Sequence, residues 1–134
     1  MGIEPFLIAS AVDSVVSQRL TRRLCTRCKQ EETYKIAYLK EIDFPIGDED
    51  ELVLFKAKQG GCPFCNSTGF RGRVGLYEVL AMDEELERLV VSVVTAHVLG
   101  NAAQEKGMKP LRQDGFEKVK IGVTSIEEVL RVVM

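Results

Sequence analysis

Four cysteines, arranged as two Cys-x-x-Cys pairs, are the residues best suited to chemistry in this sequence. Cys25 and Cys28 form the first pair, Cys62 and Cys65 form the second, and 33 residues lie between the pairs. A structural zinc ion takes four tetrahedral ligands, with thiolate sulfur at about 2.3 Å. A two-residue spacer lets both sulfurs of a pair reach one ion, and two pairs leave no coordination position for water or substrate. The spacing therefore predicts a structural zinc site.

Three other uses of these cysteines are a redox-active pair, two disulfides, and free thiols in a core. A redox-active Cys-x-x-Cys needs one pair and a thiol with a lowered pKa, so it leaves the second pair unexplained. Iron in a four-thiolate site remains an alternative to zinc, because sulfur ligands alone do not exclude it. The separation of the pairs exceeds the roughly 15–20 residues of the commonest ribbon pattern, which predicts a helix and a strand between them.

The first residues do not read as a secretory signal. The apolar stretch at residues 6–16 is interrupted by Ser10, Asp13 and Ser14, and no basic segment precedes it. It is also shorter than the roughly 20 apolar residues that span a bilayer. We therefore expect a cytoplasmic protein in a reducing compartment, where paired thiols bind metal.

Size and charge restrict the classes of partner. With 134 residues, 46% of them hydrophobic and 28% charged, the chain is expected to form one domain or two small lobes. A net charge of −2 and the lack of Trp argue against nucleic acid, which would favour a basic face with aromatic side chains. Residues 1–30 carry five basic and two acidic side chains, whereas residues 31–51 carry two basic and eight acidic. This separation suggests a solvated face or a polar interface.

The periodicity of the first half predicts a long helix, a shorter helix and an acidic loop. The apolar residues that recur at spacings of three and four are Ile8, Val12, Val15, Val16, Leu20 and Leu24. They predict a helix over Pro5–Leu24. A second helix is expected over Glu31–Lys40, and an acidic loop over Asp43–Glu51.

The second half predicts a short β-ribbon and a helical tail. Strands are expected over Leu52–Lys58 and Arg73–Ala81, on either side of a structured loop that holds the second cysteine pair. In that loop Asn66 suits a left-handed turn. The predicted tail helices are Glu84–Val93, Ala96–Lys106, Pro110–Ile121 and a last helix through Val132. Their predicted N-terminal caps are Asp83, Thr95 and the two overlapping capping boxes of Thr124–Glu128. The predicted fold class is α+β, mostly helical, with a long N-terminal helix, a tetracysteine lobe and a C-terminal helical bundle.

Five stretches, taken in order, resemble the end of type II secretion and type IV pilus assembly ATPases. They are residues Gly2–Ser10, Gln18–Cys25, Gly61–Glu78, Gly107–Gly115 and Gly122–Leu130. The resemblance covers nearly the whole chain and is weakest across residues 31–58. It implies that this chain is a fragment of a P-loop ATPase, with the last helical part of the ATPase core at 1–24, a zinc-binding lobe at 25–81 and a helical subdomain at 82–134.

The same resemblance implies a role and a set of partners. Family members work as homo-hexamers that power protein secretion or pilus assembly, bound peripherally to the inner membrane through platform proteins. Their ATP and magnesium sites lie in the preceding core, and the phosphate-loop pattern Gly-x-x-x-x-Gly-Lys-Ser/Thr does not occur in these residues. The fragment alone is therefore expected not to hydrolyse ATP, and the single histidine, His97, is expected at the surface.

Two arginines beside the second cysteine pair are the candidate nucleotide-contacting residues. Arg71 and Arg73 could reach the nucleotide base or a neighbouring subunit in the full protein, or could be solvated or paired locally. Arg19, Arg22 and Arg23 form a weaker case, because Arg19 and Arg23 are four residues apart on one face of the predicted helix, which is an ordinary exposed pattern. The alternative function for the whole chain is a stand-alone zinc-ribbon-like module that binds nucleic acid or another partner.

Overall fold

The computed structural model of the protein describes residues 2–48, 50–92 and 95–133. Within these ranges the helices are α1 (Pro5–Ala11), α2 (Ile36–Glu41), α3 (Glu84–Val91), α4 (Ala96–Glu105), α5 (Leu111–Lys120) and α6 (Ile126–Val133). The strands are β1 (Ser14–Leu24), β2 (Gln30–Lys35), β3 (Glu51–Lys56) and β4 (Phe70–Ala81), and a 3₁₀ turn spans Pro63–Cys65. Strand β1 pairs with β4, and β2 pairs with β3. The α+β class is confirmed. No helix within the described ranges is long and apolar enough to cross a membrane.

The chain divides into two compact units. The first unit comprises Met1–Ser17 and Tyr77–Pro110, and the second comprises Gln18–Leu76 and Leu111–Met134. Each unit therefore combines two stretches that are distant in sequence. The four cysteines, the acidic loop and helices α5 and α6 all belong to the second unit.

A single apolar core organises the second unit. Its buried members are Leu39, Phe44, Leu54, Leu76, Phe116, Val119, Ile126 and Val129. The rings of Phe44 and Phe116 lie 4.9 Å apart, which joins the loop after α2 to α5. Helix α5 approaches α6 closely because it carries Gly115, where a Cβ atom would lie 2.6 Å from a methyl group of Val129.

The first unit contains α1, α3 and α4, with Ala9, Leu86 and Ala103 buried. The caps predicted at Asp83 and Thr95 are confirmed. The carboxylate of Asp83 accepts a hydrogen bond from the Leu86 N–H at 2.9 Å, and the hydroxyl of Thr95 accepts one from the Val98 N–H at 3.3 Å. The predicted tail helices agree with the structure to within two residues at each described end, and the expected end at Val93 lies outside the described residues.

The prediction of one long helix over Pro5–Leu24 is wrong. Helix α1 ends at Ala11, and residues from Ser14 to Leu24 form a strand. A spacing of four residues places side chains on one face of a helix, but it also places them on one face of a strand, because four is an even number. The β-branched pair Val15–Val16 favours a strand, and pairing with β4 supplies its backbone partners.

The second predicted helix is half wrong. Residues Gln30–Lys35 form β2, and only Ile36–Glu41 are helical. Strand β2 pairs antiparallel with β3, in a register that sets Glu32 opposite Leu54. The side chain of Glu32 forms an ion pair with Lys56 of β3. The strand predicted over Leu52–Lys58 is therefore correct, but its partner comes from residues that were expected to be helical.

The close approach of α5 and α6 gives the first prediction. Gly115→Ala should lower the free energy of unfolding by about 1–3 kcal/mol, because the new methyl group meets the fully buried Val129. Gly100→Ala is the matched control: Gly100 also lies inside a helix, but open space surrounds its Cβ position, so the change should stabilise by about 0.5–1 kcal/mol. Thermal unfolding of both variants measures the difference, and effects of the same sign would contradict the packing.

Candidate metal centre

The first cysteine loop, residues 25–28, follows directly from the end of β1. The Leu24 N–H donates to the Val123 carbonyl at 2.9 Å, and the Cys25 N–H donates to the Gly69 carbonyl at 3.0 Å. Lys29, the next residue, donates from its ammonium to the Gly122 carbonyl at 2.9 Å. These bonds fix both ends of the loop to other segments of the second unit, at residues 69, 122 and 123.

The second cysteine loop, residues 62–65, is a tight turn, and backbone N–H groups in it and just after it point at the Cys65 sulfur. The N–H groups of Cys62 and Gly69 lie 3.1 and 3.2 Å from the Cys65 Sγ. Asn66 ends the turn in the left-handed conformation, with φ 56° and ψ 40°, as predicted. Gly61 also has a positive φ, and a Cβ there would lie 2.5 Å from the backbone of Ser67. Glycine at this position is therefore required for the loop to close.

The four sulfurs meet in one cluster. Their Sγ atoms all lie within 4.8 Å of one another, with separations of 3.7 Å for Cys25–Cys62, 3.8 Å for Cys28–Cys65 and 3.8 Å for Cys62–Cys65. A tetrahedron with metal–sulfur bonds of about 2.3 Å has sulfur–sulfur edges of about 3.8 Å. A disulfide would need about 2.05 Å. The donor set and its spacing therefore fit a four-thiolate metal centre and exclude two disulfides in this arrangement.

The protein environment lowers the pKa of two of the cysteine thiols and raises that of a third. Burial alone would raise the pKa of Cys65, but the N–H groups of Cys62 and Gly69 outweigh it and lower the pKa to about 6. The pKa of Cys25 is also lowered: burial would raise it, but the backbone of Arg27 and Cys28 outweighs that effect. Burial, followed by the neighbouring thiols, raises the pKa of Cys28 to about 12. Metal binding at neutral pH would therefore release a proton from Cys28.

Arg71 and Arg73, the candidate nucleotide-contacting residues, lie two positions apart on β4 and have different surroundings. The Arg71 guanidinium donates to the Phe64 carbonyl at 2.7 Å and lies 4.1 Å from the centre of the Phe64 ring. Arg73 lines a shallow cleft of about 230 Å³ together with Arg22, Thr68, Phe70 and Gly72. Arg71 is thus held against the second cysteine loop, whereas Arg73 is an exposed residue at the edge of the cleft.

Glu128 is a buried carboxylate whose role the sequence does not reveal. It is 3% exposed, and it accepts hydrogen bonds from the Arg22 guanidinium at 2.6 Å, the Arg22 N–H at 3.0 Å and the Arg131 guanidinium at 2.9 Å. Its backbone N–H donates to the Ser125 hydroxyl at 3.3 Å, as the predicted capping box requires, but its carboxylate turns to Arg22 instead. Arg22 lies 106 residues away, so no local pattern could indicate the pair.

Burial alone would raise the pKa of Glu128, but the hydrogen bonds from Arg22 and Arg131 outweigh that effect and hold the pKa at about 2. The carboxylate is therefore ionised over the whole physiological range. The Arg22 side chain is half exposed, and its guanidinium carbon lies 4.0 Å from the centre of the Phe70 ring. Arg19 and Arg23, predicted to share a helix face, lie on β1 instead. His97 is exposed as predicted.

Residues 1–131 match the family described as Type II/IV secretion system protein. The chain is 42% identical to the type II secretion system ATPase E of Vibrio cholerae, across 98% of this chain and 25% of that protein. It is 38% identical to the type IV pilus assembly ATPase PilB of Thermus thermophilus, across 97% of this chain and 14% of that protein. Against PilB of Pseudomonas aeruginosa the identity is 36%, across 98% of this chain and 23% of that protein. The chain thus spans no more than a quarter of the length of these curated relatives.

The sulfur cluster predicts that metal holds the cysteine loops and the residues bonded to them. The chain purified without added metal should contain close to one equivalent of zinc, and Cys62→Ser should lose it. In that variant, backbone hydrogen exchange and protease cleavage should rise within residues 29–61, the segment between the two cysteine loops, because the metal no longer ties its two ends together. Helices α3 and α4 belong to the first unit and should stay protected.

Thr26→Ser, in the first cysteine loop but without a ligand atom, is the control for Cys62→Ser. It should keep both the metal and the exchange pattern. Wild-type protein that contains no metal as purified, and that takes up none when zinc is added, would contradict the prediction.

The Glu128 cluster predicts a specific loss of stability in acid. Its folded pKa of about 2 lies below the ordinary value of about 4.3, so its contribution is present above about pH 4.5 and is lost as pH falls towards 2. Glu128→Gln should cost about 2–4 kcal/mol near neutral pH, since it leaves Arg22 and Arg131 without a buried counter-charge. It should also flatten the decline in stability between about pH 4.5 and pH 2.

Glu127→Gln changes the adjacent, exposed carboxylate and keeps an acceptor for the Tyr34 hydroxyl, which lies 3.1 Å away. Denaturant unfolding of the wild type and both variants at several pH values is the measurement. A Glu128→Gln protein whose stability falls in acid as steeply as that of the wild type would contradict the assignment.

Proposed function

The chain belongs to the type II/IV secretion system protein family, and we propose that it is the C-terminal zinc-binding and helical portion of an ATPase that powers protein secretion or pilus assembly. The observation that carries the proposal is the match of nearly every residue to ATPases of both systems. The cluster of four sulfurs supports it, because all four cysteines lie within the residues that match the family.

In this proposal the nucleotide chemistry belongs to the remainder of the protein. ATP and magnesium bind in the core that precedes these residues, and the full-length protein forms a homo-hexamer. It lies in the cytoplasm at the inner membrane, where it acts on platform proteins. The boundaries predicted at residues 24/25 and 81/82 remain proposals for the domains of that longer protein.

Zinc is the proposed metal, held by Cys25, Cys28, Cys62 and Cys65. When bound it supplies a rigid cross-link between loops, because four thiolates fill its tetrahedral shell and leave no position for a reacting ligand. The chain's own residues do the rest. The N–H groups of Cys62 and Gly69 favour the thiolate of Cys65, and the bonds of Leu24 and Lys29 to residues 122 and 123 orient the first cysteine loop.

The two arginines of β4 have distinct proposed roles. Arg73, on the cleft shared with Arg22 and Thr68, is the better placed of the two to contact a nucleotide base or a neighbouring subunit. Arg71 stays in the proposal as a contact residue, although its guanidinium already binds the Phe64 carbonyl. A change of Arg71 would therefore also disturb the second cysteine loop.

A hybrid protein tests the function. The matching C-terminal segment of the Vibrio cholerae secretion ATPase, or of the Pseudomonas aeruginosa pilus ATPase, would be replaced by this chain in cells that lack the native ATPase. At least one hybrid should restore secretion or piliation, and the same hybrid with Cys62→Ser and Cys65→Ser should not. Two stable, zinc-loaded hybrids that restore neither process would contradict the proposal. The pattern of rescue would also separate secretion from pilus assembly.

A further inference from the structure

We propose that Arg27, Phe64 and Arg71 form a latch that joins the two cysteine loops without the metal. The latch would keep the four sulfurs assembled in the metal-free protein, so that metal can leave and return without disrupting the second unit. This inference rests on the metal centre proposed above, but it concerns side chains that are not ligands.

The first observation is a contact that crosses between the loops. The Arg27 guanidinium carbon lies 4.0 Å from the centre of the Phe64 ring. Arg27 is the third residue of the first Cys-x-x-Cys motif, and Phe64 is the third residue of the second. Equivalent positions of the two loops therefore pack on each other beside the sulfurs that the metal would join.

The second observation is that Phe64 is held from β4 as well. The Arg71 guanidinium carbon lies 4.1 Å from the centre of the same ring, and its Nη1 donates to the Phe64 carbonyl at 2.7 Å. One ring thus contacts two guanidinium groups while a hydrogen bond fixes its backbone. Stacking of arginine on an aromatic ring is attractive, and the attraction grows as the pair is desolvated. Phe64 is partly buried.

The third observation concerns the charge of the two arginines. Within the described residues, neither Arg27 nor Arg71 forms an ion pair with a carboxylate. By contrast, Arg22, which also packs on a phenylalanine, is paired with Glu128. The side-chain contacts that the structure shows for Arg27 and Arg71 are therefore with Phe64, and none of them uses a sulfur atom.

The backbone completes the connection at the base of the loops. The Cys25 N–H donates to the Gly69 carbonyl at 3.0 Å, and Gly69 in turn directs its own N–H at the Cys65 sulfur. The two cysteine loops are therefore joined twice, by the Arg27–Phe64 contact between their third residues and by the hydrogen bond from Cys25 to Gly69. Two connections hold the relative position of the loops better than one, and a site assembled in advance binds its ligand more tightly.

The test compares metal-free and zinc-loaded protein, using the full 134-residue chain. Phe64→Leu removes the ring and keeps an apolar side chain, whereas Phe64→Tyr keeps the ring. Phe70→Leu is the matched control, because it removes the Arg22–Phe70 contact, which lies outside the two cysteine loops. The readouts are hydrogen exchange of residues 25–29 and 62–69 in metal-free protein, and the rate and affinity of zinc uptake measured with a competing chelator dye.

We expect the loops of metal-free wild type, Phe64→Tyr and Phe70→Leu to be protected from exchange, and those of Phe64→Leu to exchange freely. Zinc affinity should fall about tenfold in Phe64→Leu, which is within the range for residues that support metal ligands. Arg27→Met should give the same result as Phe64→Leu. Agreement between the two variants would show that the effect does not come from a folding defect of Phe64→Leu alone.

Equal exchange and equal affinity in Phe64→Leu and Phe70→Leu would overturn the latch, as would wild-type loops that exchange freely without metal. The exchange readout decides the latch independently of the metal. Protected loops in a wild-type chain that takes up no zinc would support the latch and would refute the metal centre of the proposed function.

Discussion

The buried pair of Glu128 with Arg22 is the interaction on which the arrangement of the second unit depends. A carboxylate that is 3% exposed must be compensated, and Arg22 and Arg131 provide the compensation. Because Arg22 lies in β1, three residues before Cys25, the pair fixes the strand that leads into the first cysteine loop. The hydroxyl groups of Thr21 and Thr124, 3.1 Å apart, extend the same buried network.

The contacts on either side of the cysteines show how a small metal site is given its shape. One loop is fixed by backbone bonds to residues 122 and 123, and the other is closed by left-handed residues and by N–H groups aimed at sulfur. Both sets of contacts come largely from residues outside the two Cys-x-x-Cys motifs. Their geometry is therefore supplied by the chain segments around them, and a metal ion would join parts that are already in position.

Short-range features of this fold could be predicted from sequence, and long-range features could not. The cysteine cluster, the left-handed Asn66 and the caps at Asp83 and Thr95 follow from patterns within a few residues. Strand β1 could not be recognised, because its apolar spacing fits a helix equally well. Strand β2 could not be recognised either, because Gln30–Lys35 is almost entirely polar and shows no apolar period. The partners of both strands lie far along the chain. For the same reason Glu128 read as part of a capping box, although its carboxylate binds an arginine 106 residues away.

The order in which the second unit is connected has a consequence for synthesis on the ribosome. Residues 18–76 emerge first, but the partners of Arg22, Leu24 and Lys29 lie at positions 122–128. A nascent chain thus leaves Arg22, Leu24 and Lys29 without these partners until residues 122–128 have emerged. Contacts between such distant residues also slow folding, because the long intervening loop must close before they form. During that interval the four thiols are accessible to oxidants, and early capture of a metal ion would protect them.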